Sequence, residues 1–252
     1  MAATTSIAIE ETPLVLELLC RADDALILGH RLSEWTGHAP ALEEELALAN
    51  IALDLIGQAR ALYSYAGTLT GHTEDQLAYL RDVAGWRNCL IVELPNGDFA
   101  FTMARLLLVS AFTDPFWRAA IASTDSTIAA IAAKAEKETA YHLRHAAEWL
   151  IRLGDGTAES HRRAQTALDE LWPYTGELFD PIPTDAGVAP DPMSLRETWN
   201  DRVGGILARA TLERPPDGWM QRGGRSGRHT EHLGHLLAEM QFLQRAYPGV
   251  TW

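Results

Sequence analysis

Apolar residues recur three and four positions apart along nearly the whole chain, and no stretch alternates with the period of two that a half-buried strand requires. The pattern predicts an all-α protein. A first helix takes Thr12 as its cap and Pro13 in its first turn, carries Leu14, Leu18, Leu19, Leu26 and Ile27 inward, and ends near residues 35–37. A second follows Pro40 and runs to about residue 69. Its Leu42, Leu46, Ile51, Leu53, Leu55 and Leu62 are spread around much of the helix, which predicts burial on most sides.

Thr73 with Gln76 makes a capping box for a third helical segment, expected to continue through Cys89, Leu90, Ile91 and Val92 to Asn96-Gly97. Asp98 then caps a helix to about residue 122, with Pro115 expected to kink or restart it. The alanine-rich stretch 126–153, closed by Gly154, is the clearest helix, and another spans about 157–179 with a bend near Trp172-Pro173. A proline-rich loop, 181–193, precedes two final helices. Ser194 with Glu197 is read as the cap of one and Thr230 as the cap of the other, which runs to about residue 247. The loop is short for a linker and both later helices carry apolar faces, so residues 1–252 are read as one domain with 1–12 flexible. The expected architecture is an up-and-down helical bundle with C-terminal additions.

Composition adds limits rather than detail. Of 252 residues 47% are hydrophobic and 22% charged, enough apolar surface for a sizeable core. The excess of 34 Asp+Glu over 21 Lys+Arg, a formal charge of −13, argues against nucleic-acid binding. Residues 1–12 hold no Lys or Arg, so no secretory leader is read, and no apolar stretch is judged to reach the roughly 20 residues of a membrane span. Cys20 and Cys89 are too few for a disulfide framework, and the expectation is a soluble, cytoplasmic protein.

A helical bundle of this size raises the di-iron carboxylate chemistry, which takes Glu-x-x-His from each of two helices and a Glu from each of two more. No Asp or Glu in the chain has a His three residues later. The second helix instead carries a polar stripe, Asn50, Asp54 and Gln58, on one face, with two amides where a metal would need stronger ligands. On the long alanine-rich helix Glu138, His142 and His145 share a face, and the reading stays open between a single-metal ligand set and a charged interface stripe. The most unusual segment is 222–235. Arg222, Arg225 and Arg228 sit among glycines ahead of His229, His232 and His235, which suits partner docking or binding of an anion at a helix N-terminus, against a mobile solvated loop. Gly85-Trp86-Arg87-Asn88 groups an aromatic face, a guanidinium and an amide, suited either to a phosphate-bearing ligand or to an Arg stem packed on a buried Trp. No nucleophile motif is present, and no residue is assigned a catalytic role.

Segments 31–40 (RLSEWTGHAP), 50–60 (NIALDLIGQAR), 93–100 (ELPNGDFA), 137–144 (KETAYHLR) and 229–241 (HTEHLGHLLAEMQ) closely resemble the family of the structural C component of bacterial phenylacetyl-CoA epoxidase, the ring 1,2-phenylacetyl-CoA monooxygenase. The resemblance runs from about residue 13 to 252. It implies a ferritin-like bundle that is not itself the oxygenase and holds no cofactor of its own. It further implies three partners: a catalytic A component with the di-iron centre and the acyl-CoA site, a small B component, and a reductase, the E component, that passes electrons from NADPH through flavin and iron–sulfur groups. The complex epoxidises the aromatic ring of phenylacetyl-CoA with O2, and the same resemblance places Gly85, Trp86, Arg87 and Asn88 near the CoA ester. The alternatives are a metal-dependent oxygenase in its own right using Glu138, His142 and His145, and a stand-alone acyl-CoA-binding module.

Overall fold

The computed structural model describes residues 6–250; residues 1–5 of the expected flexible lead, and 251–252, lie outside the described residues. Among the described residues every regular element is helical. Helix α1 (Pro13–Ser33) begins as its sequence dictates, with the Thr12 hydroxyl accepting from the backbone N–H of Val15 at 3.3 Å. Helix α2 (Leu42–Thr70) has Glu43, Glu44 and Glu45 in its first turn, where the helix dipole favours carboxylates, and ends on Gly71 at φ 74°. The capping box of Thr73 and Gln76 does start α3 (Glu74–Tyr79).

The continuous helix expected from there to residue 96 does not form. Instead the backbone donors of Arg87, Cys89 and Leu90 each bond at 2.7 Å to a carboxylate from elsewhere, Asp23, Asp24 and Glu177 respectively. A helix there would need those same N–H groups for its own ladder. What remains is one tight turn at Val83–Gly85 and a four-residue α4 (Leu90–Glu93).

Helix α5 (Phe99–Ala120), capped by Asp98, continues through Pro115, so the helix does not restart there. By length and composition it could cross a membrane, a property the sequence reading denied every stretch; here it is the core helix, with Arg105 and Asp114 buried along it. Helix α6 (Ser126–Gly154) starts where the Asp125 side chain accepts from Thr127 and Ile128, and its inward face of Ile128, Ala132, Ala135, Thr139, His142, Ala146 and Leu150 follows the helical period. Pairs α1–α2 and α5–α6 pack side by side and close into a four-helix bundle through α2–α6. Helix α7 (Ala158–Leu171) continues as 3₁₀ turns from Trp172, where the bend was expected.

Two expected caps are corrected. The Ser194 hydroxyl donates to the Asp191 carbonyl, Asp191 caps a short turn at Pro192–Leu195, and α8 (Arg196–Arg209) starts with no side-chain cap. Thr230 precedes α9 (Glu231–Met240) in extended geometry, but its hydroxyl caps nothing, and the last helix is interrupted before α10 (Phe242–Ala246). Residues 6–12 are held rather than loose. Ile7 donates to the Leu80 carbonyl at 3.0 Å, and Ile7 and Ile9 pack on the core. Burial around α2 is one-sided: Leu42, Leu46 and Leu53 are 69%, 58% and 65% exposed on its outer face.

Candidate functional site

Three sets of inner polar residues bear on the candidate site. Along the seam of α2 and α6 the polar stripe and the Glu138/His142/His145 group, separate in the sequence, turn out to be two halves of one zipper. His142 Nε2 lies 3.1 Å from Asp54 Oδ2, Gln58 Nε2 donates to Glu138 Oε2 at 2.9 Å, and His145 Nε2 lies 3.2 Å from Glu44 Oε2. The first two pairs are hydrogen-bonded, whereas His145 Nε2 and Glu44 Oε2 face each other at ion-pair distance without a hydrogen bond. Asn50, the first member of the stripe, is exposed and takes no part. Glu44 is the member that sequence reasoning missed, because nothing local distinguishes it from Glu43 and Glu45.

The second set lies at the centre of the bundle, where a ferritin-like metal site is built. Leu28, Leu55, Leu106 and Val109 meet there with the guanidinium of Arg21, which bonds Glu17 at 2.8 Å and lies over the Phe116 ring at 4.3 Å from its centroid. Among the described residues no three His, Cys, Asp or Glu side chains converge as a ligand set. These residues do not fit a di-iron centre: the lining is mostly apolar, its one carboxylate, Asp24, is held by Arg225 and its one imidazole, His142, faces Asp54, and the Arg21 cation stands beside it.

The third set is the glycine-rich segment 222–230, which folds inward as a plug. Glu177 Oε1 accepts from the backbone of Gly223 at 2.9 Å and of Arg225 at 3.2 Å, while Glu93 Oε1 accepts from Thr230 N at 2.6 Å at the start of α9. The anion that the glycines and the helix N-terminus were expected to bind is thus the chain's own carboxylates. Arg225 forks onto both oxygens of Asp24, at 3.0 and 2.6 Å, and also donates to the Cys20 and Arg87 carbonyls. His229 has a fully buried side chain, with Nδ1 2.8 Å from Glu93 Oε2 and Nε2 3.1 Å from the Trp86 carbonyl. As residues of an exposed docking surface, Arg225 and His229 are therefore corrected: their nitrogens are committed to the interior. Arg222, ion-paired with Asp180, and Arg228 remain exposed, His232 is half-buried on α9, and His235 is exposed.

The neighbouring segment 85–88 is the wall that the plug closes on. Trp86 and Asn88 are fully buried, Asn88 donating to Glu93 at 2.8 Å and Trp86 lying under the Arg81 guanidinium. Only Gly85 and Arg87 reach the surface, and Arg87 already holds Glu11 at 2.7 Å. Beneath them, Asp23 takes four hydrogen bonds, two from Arg81 and one each from Tyr63 and the backbone of Arg87. Burial pushes the Tyr63 hydroxyl well above its ordinary pKa, with the Asp23 charge adding to it. Burial also raises the Cys20 thiol to about 12 and pushes the Cys89 thiol well above its usual range, so both are inert core thiols.

The seam has a pH dependence. Burial lowers the pKa of His145 below its ordinary 6.5, opposed by Glu44 and Glu148 and reinforced by His142 and Arg152; burial lowers His30 as well. Below pH 6.5 the unfolded chain binds protons that these native imidazoles refuse, so stability falls with acidification and is recovered as pH rises through that value. Thermal melts between about pH 7.5 and 5 are expected to show Tm falling, and His145→Gln to flatten part of the slope. An unchanged slope in that variant would remove His145 from the account.

The sequence signature of the family described as "Phenylacetic acid catabolic protein" matches residues 1–252. Among curated relatives, the C subunit of 1,2-phenylacetyl-CoA epoxidase from Escherichia coli (strain K12) is 48% identical over 236 residues, covering 91% of this chain and 95% of that protein. The segments quoted above for the resemblance include residues of two of the polar sets: Asp54, Gln58, Glu138 and His142 on the seam, and Glu93 and His229 at the plug.

Proposed function

Because the chain belongs to the family of phenylacetic acid catabolic proteins, we propose that it is the non-catalytic C component of a multicomponent di-iron monooxygenase that epoxidises the aromatic ring of phenylacetyl-CoA. The observation that carries this reading is the one-to-one pairing along the α2–α6 seam. His142 and Glu138, side chains of types that bind iron in a ferritin-like bundle, are here paired with Asp54 and Gln58, His145 faces Glu44, and the centre beside them is mostly apolar with the Arg21 cation in its wall. Such pairs hold the two helices in register, and among the described residues they do not converge as a metal-ligand set.

The outer face of α2 supports association. Leu42, Leu46 and Leu53 lie within one helical stripe, and an exposed apolar stripe on a helical bundle is the kind of surface a partner covers. In this reading the catalytic A component supplies the di-iron centre and the acyl-CoA site, the small B component joins the assembly, and the reductase E component delivers electrons through flavin and iron–sulfur groups. The contribution of this chain is to fold around its own charged pairs and hold its catalytic partner.

Co-expression with a di-iron protein of the same system, followed by affinity capture on that protein, tests the pairing. Retention of this chain is expected, with retention lost in the double variant Leu46→Glu/Leu53→Glu while its circular dichroism stays that of the wild type. Turnover of phenylacetyl-CoA by the catalytic and reductase components at full rate without this chain would overturn the reading. The alternative of a stand-alone acyl-CoA module requires calorimetric binding of phenylacetyl-CoA by the isolated chain.

A further inference from the structure

Helices α1, α2, α5 and α6 enclose a cavity of about 30 Å3 at the centre of the bundle. That is room for one small ion or about two waters, and far too little for an aromatic ring or a thioester. One wall is Arg21, whose side chain is 6% exposed. Its Nε bonds Glu17, its faces are covered by the rings of Phe112 and Phe116, and its Nη1 and Nη2 are buried with no hydrogen-bond partner. Two charge-bearing donors left unpaired in an interior are costly, and the geometry states what would satisfy them.

We propose that this cavity binds a small, weakly hydrated monovalent anion of the halide class on the Nη groups of Arg21. The free groups facing the cavity select the sign. Arg21 offers donors only, whereas both oxygens of the nearby Asp24 carboxylate already accept, from Arg225 and from the backbone and thiol of Cys89. A cation there would have to compete with Arg225 for the one carboxylate in the lining, beside the Arg21 cation. The rest of the lining is mostly apolar, including Leu28, Leu55 and Val109, with Gln58, Ser110, Thr113 and His142 as its other neutral or titratable polar groups, so the ion must shed most of its water and Arg21 supplies the charge that replaces it. Bromide and chloride meet that condition and strongly hydrated fluoride does not. A bound anion would stabilise the folded chain by linkage and would give this bundle, at its centre, a fixed negative charge held on protein donors.

The test uses the full chain. Crystals soaked in sodium bromide are expected to show an anomalous peak within hydrogen-bond distance of Arg21 Nη1 or Nη2. In solution, Tm in bromide is expected to rise relative to fluoride at matched ionic strength by roughly a few °C per tenfold increase once the site fills. The double variant Glu17→Gln/Arg21→Met, which leaves no buried lone charge, is expected to abolish that difference. Absence of an anomalous peak at Arg21, or a bromide-minus-fluoride difference equal in wild type and double variant, would overturn the proposal and leave water as the occupant. The crystal readout stands on the wild type even if the variant fails to fold.

Discussion

Replacing Arg225 by glutamate is expected to abolish the cooperative fold, while the same change at Arg228, three residues on, leaves stability within about 0.5 kcal/mol of wild type. Arg225 holds Asp24 through both Nη groups, in a setting where each side chain is little more than a tenth exposed. It also ties α1 to the 85–88 wall through the Cys20 and Arg87 carbonyls. Removing one member of such a buried pair costs about 3–5 kcal/mol, and reversing its sign places two carboxylates against each other. Against a total stability of about 5–15 kcal/mol that is most of the margin. Urea denaturation followed by circular dichroism measures it. Because the main cost is the charge left alone, Asp24→Asn combined with Arg225→Met is expected to lose less than Arg225→Met by itself. Equal, small losses for Arg225→Glu and Arg228→Glu would return segment 222–230 to the surface.

Asp23→Ala is the second large effect, about 3–5 kcal/mol. The carboxylate is wholly buried and collects two donors from Arg81, 1% exposed, the Tyr63 hydroxyl at 2.5 Å and the Arg87 backbone at 2.7 Å. Alanine there leaves a buried guanidinium, a phenol and an amide without their acceptor. Loss of the fixed turn at 83–88 follows from the same bonds, so tryptophan fluorescence from Trp86 is expected to change even where the variant remains folded. Asp23→Asn keeps one acceptor oxygen and is expected to fall between wild type and alanine. A loss under about 1 kcal/mol for Asp23→Ala would mean that water replaces the carboxylate and that the hub is not a fold determinant.

Where the sequence reading succeeds, the determinants are local. The starts of α1, α3 and α5 follow from Thr12, Thr73 and Asp98 beside their own helices, and the inward face of α6 follows from its period. Where it fails, the decisive partner is far away along the chain. Residues 80–98 have helical composition, yet Asp23, Asp24 and Glu177 take the N–H groups a helix would use. The glycine-rich segment is legible as an anion binder, but not that its anions are Glu177 and Glu93. Periodicity carries no information about such pairings. One signal is available: Glu17, Arg21 and Asp24 stand four and three residues apart on the apolar side of α1, and charges on an inward face announce a buried network. The exposed leucines of α2 show the converse, since an all-round apolar helix reads as buried until a partner is considered.

Both stability predictions and the seam describe a chain whose charged interior is structural, and the proposed function assigns iron chemistry to a partner. Chain-resolved metal analysis of the co-purified complex tests that claim most directly. The components, separated by non-denaturing chromatography, are assayed for iron and for phenylacetyl-CoA turnover with the reductase. The account predicts that iron follows the catalytic component, that this chain carries none above background, and that recombining the two restores turnover. Iron bound to this chain alone at the stoichiometry of a di-iron centre, with oxygenase turnover in the absence of the partner, would contradict it.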